Sequence, residues 1–277
     1  MEKKSGNKPL VLFLIIAFGL CWGVGIAYIF FGNFITPVLG ELTITHPLAI
    51  MALYSPSIAG IIVYIVFGGL KELLSKLVPR KTHIKWYLAV TASFILYAVF
   101  VRGGSLLFNR PVPEMDMGFP VAIKNFFGTL IHDQGILGGA FGWIGFLLPF
   151  FQSKIKNTLA AALLTGLIFG LWVLPGYMIS SVNASDTSYL LYVIQLMVLM
   201  AFMMYLFNAT KGSILVYIYA FWLFASGSFL KLYFFNSSSQ VLQIIFFVIA
   251  SAVLYIVIKR RNIRTEVQKY PGFVYSN

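Results

Sequence analysis

Eight long, continuous apolar runs limit this chain to membrane folds. The runs cover residues 10–31, 46–67, 86–107, 135–151, 157–178, 188–208, 213–232 and 239–258. A helix of about 20 apolar residues crosses the hydrocarbon core of a bilayer. Only 10% of the residues are charged and 60% are hydrophobic, whereas soluble domains carry about 25% charged residues. A surface this poor in charge needs lipid around it.

The runs are expected to be helical, because a chain in hydrocarbon must satisfy its own backbone hydrogen bonds. A β-barrel would instead show segments of about ten residues with alternating polarity. We therefore predict an all-α, polytopic membrane protein that forms a bundle of about eight transmembrane helices. Residues 1–277 are predicted to form one integral membrane domain that ends in a basic cytoplasmic tail, 259–277.

The distribution of positive charge predicts the orientation of the bundle. If the N-terminus is cytoplasmic and all eight runs span, sixteen of the twenty lysines and arginines fall on the cytoplasmic side. The four outside are Arg102, Arg110, Lys124 and Lys231. This positive-inside bias places both termini in the cytoplasm. The net charge of +12 therefore indicates membrane-flanking clusters and no nucleic-acid partner; the lipid bilayer is the predicted partner of the apolar surface.

Two further segments are predicted to be amphipathic helices that do not span. In residues 70–78 the apolar side chains recur at helical spacing, and Glu72 and Lys76 form a pair four residues apart on the opposite face. This segment is expected to lie on the cytoplasmic leaflet. Residues 121–131 are expected to do the same outside. Glycines four apart, at 138 and 142 and at 166 and 170, predict close helix packing.

Ionisable side chains are nearly absent from the runs. Between residues 134 and 211 the only acid is Asp186, in a short loop, and the single cysteine, Cys21, reads as a small buried side chain. A zinc site needs three or four ligands, and a proton-coupled transporter usually carries acids or histidines in its spans. Runs four to eight provide neither set, so no metal and no cofactor are predicted.

Three stretches give the chain a family resemblance. They are 55–60 (Ser-Pro-Ser-Ile-Ala-Gly) with 69–74 and Trp86-Tyr87; 142–149 (Gly-Trp-Ile-Gly-Phe-Leu-Leu-Pro) with 166–175; and 211–215 (Lys-Gly-Ser-Ile-Leu). In these the chain resembles the CAAX protease and bacteriocin-processing family of intramembrane metalloproteases, also called the Abi or lysostaphin-resistance-protein-like family. The resembling core covers about 46–258. The resemblance implies an eight-helix bundle, a bacterial origin and a multi-pass protein of the plasma membrane.

The chain departs from the family at every catalytic position. Active members carry a Glu-Glu-x-x-x-Arg motif, an aromatic residue followed four residues later by histidine, and a His-x-x-x-Asn or His-x-x-x-Asp motif. The aromatic residue is kept as Phe169. The positions of the other groups hold small or apolar residues: Gly139, Ala140, Ile144, Val173, Phe221 and Ala225. The surrounding frames are intact, and a site that loses its metal should shed the other charges, because a buried unpaired carboxylate is costly.

The resemblance and the altered positions together indicate a pseudoprotease that acts as a membrane scaffold or regulator. Non-proteolytic members of the family are associated with cell-wall hydrolases, sensor kinases or immunity to bacteriocins, so a membrane or cell-envelope protein partner is expected. One alternative is an active protease with relocated residues, for which His132, Asp133 and Glu114 are the available side chains. The other is a small-molecule transporter, which eight helices would permit.

Overall fold

The computed structural model describes residues 6–114, 116–182 and 186–271, and these are helical with no strand among them. The helices are α1 (Lys8–Leu39), α2 (Pro47–Phe67), α3 (Leu70–Ser75), α4 (Ile84–Leu107), α5 (Phe119–His132), α6 (Ala140–Gly142), α7 (Leu148–Lys154), α8 (Thr158–Trp172), α9 (Leu174–Met178), α10 (Tyr189–Ala209), α11 (Ile214–Phe229) and α12 (Ser237–Arg260). A π-helical turn, Trp143–Leu147, joins α6 to α7. The predicted all-α membrane bundle is confirmed.

All eight predicted runs are helical, but their lengths differ from the expectation. In the described part of the chain, five helices are long and apolar enough to cross a membrane, and α8 and α11 are shorter apolar helices of 15 and 16 residues. The fourth run is a composite of α6, the π turn and α7. At 1.5 Å per residue the short helices fall below the roughly 30 Å hydrocarbon thickness. Irregular backbone at that depth is tolerated where protein surrounds it.

The packing order brings the fourth run into the centre of the molecule. Helix α10 packs against α8 and α12, α1 packs against α2, and α4 packs against α11 and α12. The fourth run contacts α2, α8 and α11, and all of its side chains from Trp143 to Leu148 are fully buried. Large apolar side chains such as Phe30, Leu88 and Val253 cover the outside of the bundle, as a lipid-facing surface requires.

The connecting segments meet at two opposite ends of the bundle. At one end Ser181 donates to the carbonyl of Leu42, and Lys231 lies 2.7 Å from Asp116. At the other end the Ile214 N–H donates to the carbonyl of Lys76. Successive runs therefore alternate in direction, as the eight-run topology predicted. The orientation of the bundle in the membrane stays a prediction.

Helix α5 and helix α3 test the two amphipathic predictions. Helix α5 is amphipathic as predicted, and its inner face stacks Phe126 on Trp222 of α11 at 4.2 Å. Helix α3 is present, and the Lys76 ammonium lies 3.6 Å from Glu72. Lys76 does not lie on a solvated face, however, because its side chain is only 5% exposed. Burial lowers the pKa of the Lys76 amine, and Glu72 acts in the opposite direction.

Candidate functional site

Helix α2 fixes the start of the fourth run through Ser57. The Ser57 N–H donates to the carbonyl of Gly138 at 3.0 Å, and its hydroxyl donates to the carbonyl of Leu137 at 2.8 Å. The N–H of Phe141 in turn donates to the Ser57 hydroxyl at 3.2 Å. A side chain at Gly142 would come within 2.5 Å of the Pro56 carbonyl carbon. The predicted packing role of the glycine at 142 is therefore confirmed, and the Ser-Pro-Ser stretch clamps the turn that precedes α6.

The end of α8 is held by a second hydrogen-bonded contact. The Ser55 hydroxyl donates to the carbonyl of Ala17 at 2.8 Å. The Trp172 indole N–H lies 3.0 Å from the same carbonyl and 3.2 Å from the Ser55 hydroxyl. All three groups are buried, where a hydrogen bond left unmade is costly. These hydrogen bonds join α1, α2 and α8 beside position 173. The stretches 55–60 and 166–175, which carry the family resemblance, therefore meet at this position.

The six altered positions divide into two groups in the structure. One group is buried within the fourth run and lines no part of the bundle's chamber, a cavity of about 280 Å³. It consists of Gly139, Ala140 and Ile144. Val173, Phe221 and Ala225 do line the chamber, from α11 and the end of α8. The structure therefore brings three of the six positions to one cavity wall.

An aromatic stack occupies the space between these two groups. Trp143 stacks on Phe169 with ring centroids 4.6 Å apart and planes at 18°, and Phe169 faces Phe221 at 6.4 Å and 30°. Phe13 and Trp172 meet the Trp143 ring edge-on at 5.8 and 5.6 Å. Such pairs add to the stability that burial provides. The rings fill the centre of the bundle at the altered positions.

A metal ion does not fit the residues at these positions. Zinc is bound by thiolate, imidazole or carboxylate groups, and the side chains at the six positions carry no such group. Within the described ranges no three His, Cys, Asp or Glu residues lie close enough to hold a metal ion. His132 and Asp133 line the chamber, whereas Glu114 lies outside it, on a separate groove beside Lys231. The three available side chains are thus not brought together.

A chamber of about 280 Å³ lies beside the aromatic stack, toward the Asp133 end of the bundle. Its walls come from α1, α2, α4, α8, α10, α11 and α12 and are mainly apolar and aromatic. The aromatic residues that line it are Tyr97, Trp172, Tyr177, Tyr192, Phe221, Phe224, Phe229, Tyr233, Phe235 and Phe247. A well-formed apolar pocket with a few polar groups is the usual form of a small-molecule site.

Asp133 supplies the negative charge of the chamber. It follows the last residue of α5, and its Oδ1 accepts a hydrogen bond from the Gly135 N–H at 2.7 Å. Burial raises the pKa of the Asp133 carboxyl to about 6, although the Gly135 N–H acts in the opposite direction. The adjacent Gln134 side chain donates to the Tyr192 hydroxyl at 2.7 Å. The sequence placed Asp133 in an external loop, and the structure shows it at a cavity wall.

Two glutamines complete the polar lining, and sequence analysis overlooked both. The amide of Gln195 on α10 donates to the side-chain carbonyl of Gln243 on α12, and the amide of Gln243 lies 3.4 Å from the Ser239 hydroxyl. Neither glutamine is ionisable, so neither belongs to the charged groups by which a site in the runs was predicted. The available signal was an uncharged amide in each of two apolar runs, since polar side chains inside membrane helices usually bond across helices.

The comparison with known protein families finds a match in the region that contains the aromatic stack and the altered positions. The family model described as type II CAAX prenyl endopeptidase Rce1-like matches residues 137–227, about a third of the chain. The match begins just before α6 and ends within α11, so it includes the aromatic stack and all six altered positions. A search of curated proteins found no match. Over its central helices the chain is therefore similar to the Rce1-like type II CAAX prenyl endopeptidases.

Proposed function

We propose that this chain is a non-catalytic member of the family, a pseudoprotease that acts as a membrane scaffold or regulator. The observation that carries the proposal is the stack of Trp143, Phe169 and Phe221 at the altered positions. Phe221 stands where the last motif has a histidine, and its ring packs onto the backbone of Gly135 so closely that a side chain there would overlap it. Both observations favour packing in place of metal chemistry.

The features that the chain keeps support the scaffold role. The hydrogen bonds of Ser55 and Ser57 and the close approach of Pro56 to Gly142 maintain the arrangement of α2, the fourth run and α8. A bundle that retains its frame without the catalytic groups is suited to binding. The expected partner is a membrane or cell-envelope protein of the cell-wall hydrolase, sensor kinase or bacteriocin-immunity type, and the expected location is the bacterial plasma membrane.

The proposal is tested by combining affinity purification with a cleavage assay. The full chain is purified from its native membranes in a mild detergent, and proteins that co-purify are identified against a matched purification of an unrelated eight-helix protein. The purified chain is then incubated with a prenylated CAAX peptide with and without added zinc. We expect one envelope protein in near-equal amount and an intact peptide. Zinc-dependent cleavage of the peptide would refute the proposal.

A further inference from the structure

The chamber next to the aromatic stack has an unbalanced set of polar groups. Asp133 contributes a carboxylate and Gln195 contributes a side-chain oxygen that has no hydrogen-bond partner within the described ranges, although the residue is only 7% exposed. Among the described residues of the lining there is no lysine or arginine. Both polar groups accept hydrogen bonds, and a buried acceptor without a donor is costly. The missing complement is a donor, preferably a cationic one.

The charge of Asp133 also indicates a cationic ligand. Within the described parts of the chain Asp133 forms no ion pair, and its Oδ1 is bonded to the Gly135 N–H alone. The titratable groups near it are His132, whose Nδ1 lies 3.0 Å from the Gly128 carbonyl, and the hydroxyls of Tyr192 and Tyr217. Asp133 is half-buried, and charges that are withdrawn from water are normally paired. A ligand that carries a positive charge would pair this one.

The walls of the chamber favour an organic cation over a metal ion. Tyr177, Tyr192 and Phe235 line it and keep part of their surface exposed, and the faces of aromatic rings attract ammonium groups within about 6 Å. The volume of about 280 Å³ is at the lower limit of the roughly 300–1,000 Å³ typical of ligand pockets. A small molecule fits this space, and a whole membrane lipid or a prenylated peptide does not.

We propose that the chamber binds an organic ammonium group on a small apolar body, with the ammonium paired with Asp133 and the body against the aromatic walls. The inference deepens the proposed function and rests on it in one respect: the apolar side chains of Val173, Phe221 and Ala225 form part of the binding wall in place of metal ligands. Two sources share this chemistry: a free amine, and the aminoethyl end of an aminophospholipid headgroup whose phosphate and chains stay outside the chamber.

The experiment uses the full chain in maltoside micelles, which contain no ammonium group. Three probes of similar size are titrated by calorimetry: 2-phenylethylamine, 2-phenylethanol and 3-phenylpropanoate, which are cationic, neutral and anionic. A charge-assisted hydrogen bond contributes about 1.5–3 kcal/mol, so the amine is expected to bind about ten-fold more tightly than the alcohol, or better. Equal binding of the three probes, or no binding, would overturn the inference even if every variant failed to fold.

Two matched variants locate the site. Asp133→Asn keeps the size of the side chain and the acceptor for the Gly135 N–H, and it should reduce amine binding to the level of the alcohol. Asp116→Asn makes the same change at an exposed carboxylate paired with Lys231, and it should leave amine binding unchanged. If Asp133→Asn binds the amine as the wild type does, the site is elsewhere and the inference is wrong.

The source of the ammonium is distinguished by competition. Short-chain phosphatidylethanolamine that displaces 2-phenylethylamine from the wild type supports the headgroup, and failure to displace it supports a free amine. The failure of this inference and the failure of the proposed function give different results. Peptide cleavage would refute the pseudoprotease and leave the amine titration valid, whereas the absence of an amine preference would remove the ligand and leave the pseudoprotease in place.

Discussion

The substitution Gly139→Glu restores the first acidic group of the family motif and should destabilise this chain severely. A Cβ at position 139 would lie 2.5 Å from Cδ1 and 2.6 Å from Nε1 of Trp143, and closer still to the carbonyl oxygen of Gln134. The Trp143 ring is fully buried between Phe13, Phe169 and Trp172. It has no free space to move into, so the added atom must displace packed side chains or backbone.

The loss of stability caused by Gly139→Glu has a steric part and a charge part. Overpacking a well-packed core costs about 1–3 kcal/mol, and Gly139→Ala should show this part alone. The glutamate adds a buried unpaired carboxylate, which costs several kcal/mol more or remains protonated. Gly103→Ala is the matched control, because no atom lies within 4 Å of a Cβ there. In the interior of α4 that change should be neutral or stabilise by about 0.5–1 kcal/mol.

The free energy of unfolding is measured by titration of the purified variants with sodium dodecyl sulfate in mixed micelles, without zinc. We expect the order of stability to be Gly103→Ala, then Gly139→Ala, then Gly139→Glu. If Gly139→Glu unfolds at the same detergent fraction as Gly103→Ala, position 139 has room for a carboxylate. Packed aromatic rings would then not fill the site.

Three further predictions follow from the ends of the bundle. The pKa of Asp133 is raised to about 6 from an ordinary value of 3.8, so the native state binds the proton more tightly than the unfolded state does. The free energy of unfolding should therefore fall as pH rises from about 4 to 6. Asp133→Asn should remove this part of the pH dependence, which is measured by thermal unfolding at each pH. Tyr270 is 1% exposed and packs edge-on against Tyr64 and Phe146 at 5.3 Å. Tyr270→Ala should therefore loosen the segment after α12 and speed trypsin cleavage at Arg264. Tyr255→Ala is the control and should leave the cleavage rate unchanged, because Tyr255 is 46% exposed. In a Cys21→Ala background, a cysteine at Asp116 should react with a membrane-impermeant maleimide on intact cells and one at Lys154 should not; the reverse would contradict the predicted orientation.

The sequence predicts the architecture well because its strongest signal is hydrophobic length. The positions of the eight runs agree with the helices, and the alternation of their connections agrees with the charge distribution. The predicted lengths are wrong for the fourth run, for α8 and for α11, since hydropathy does not distinguish a helix that crosses the whole bilayer from a shorter one enclosed by others. The glycines at 142 and 166 are the visible sign of that enclosure, because backbone atoms of neighbouring helices lie against them.

Single side chains at the bundle ends are harder to predict. Lys76 and Asp133 look like solvated loop residues in the sequence, and both are enclosed by elements distant along the chain. The Lys76 carbonyl accepts from Ile214, and Asp133 faces α10 and α11. The segment after α12 shows the same limit: its Gln268 N–H donates to the Asn208 side chain and its Tyr270 N–H to the Ser153 hydroxyl. Local periodicity contains no information on such long-range contacts.

The zinc content of the purified full chain tests the central claim most directly. The protein is expressed in zinc-supplemented medium, purified in maltoside without chelator, and measured by inductively coupled plasma mass spectrometry beside a catalytically competent family member treated identically. We predict that the competent member retains about one zinc ion per chain, as a catalytic site requires, and that this chain retains only background zinc. Stoichiometric zinc in this chain would contradict the absence of a metal site.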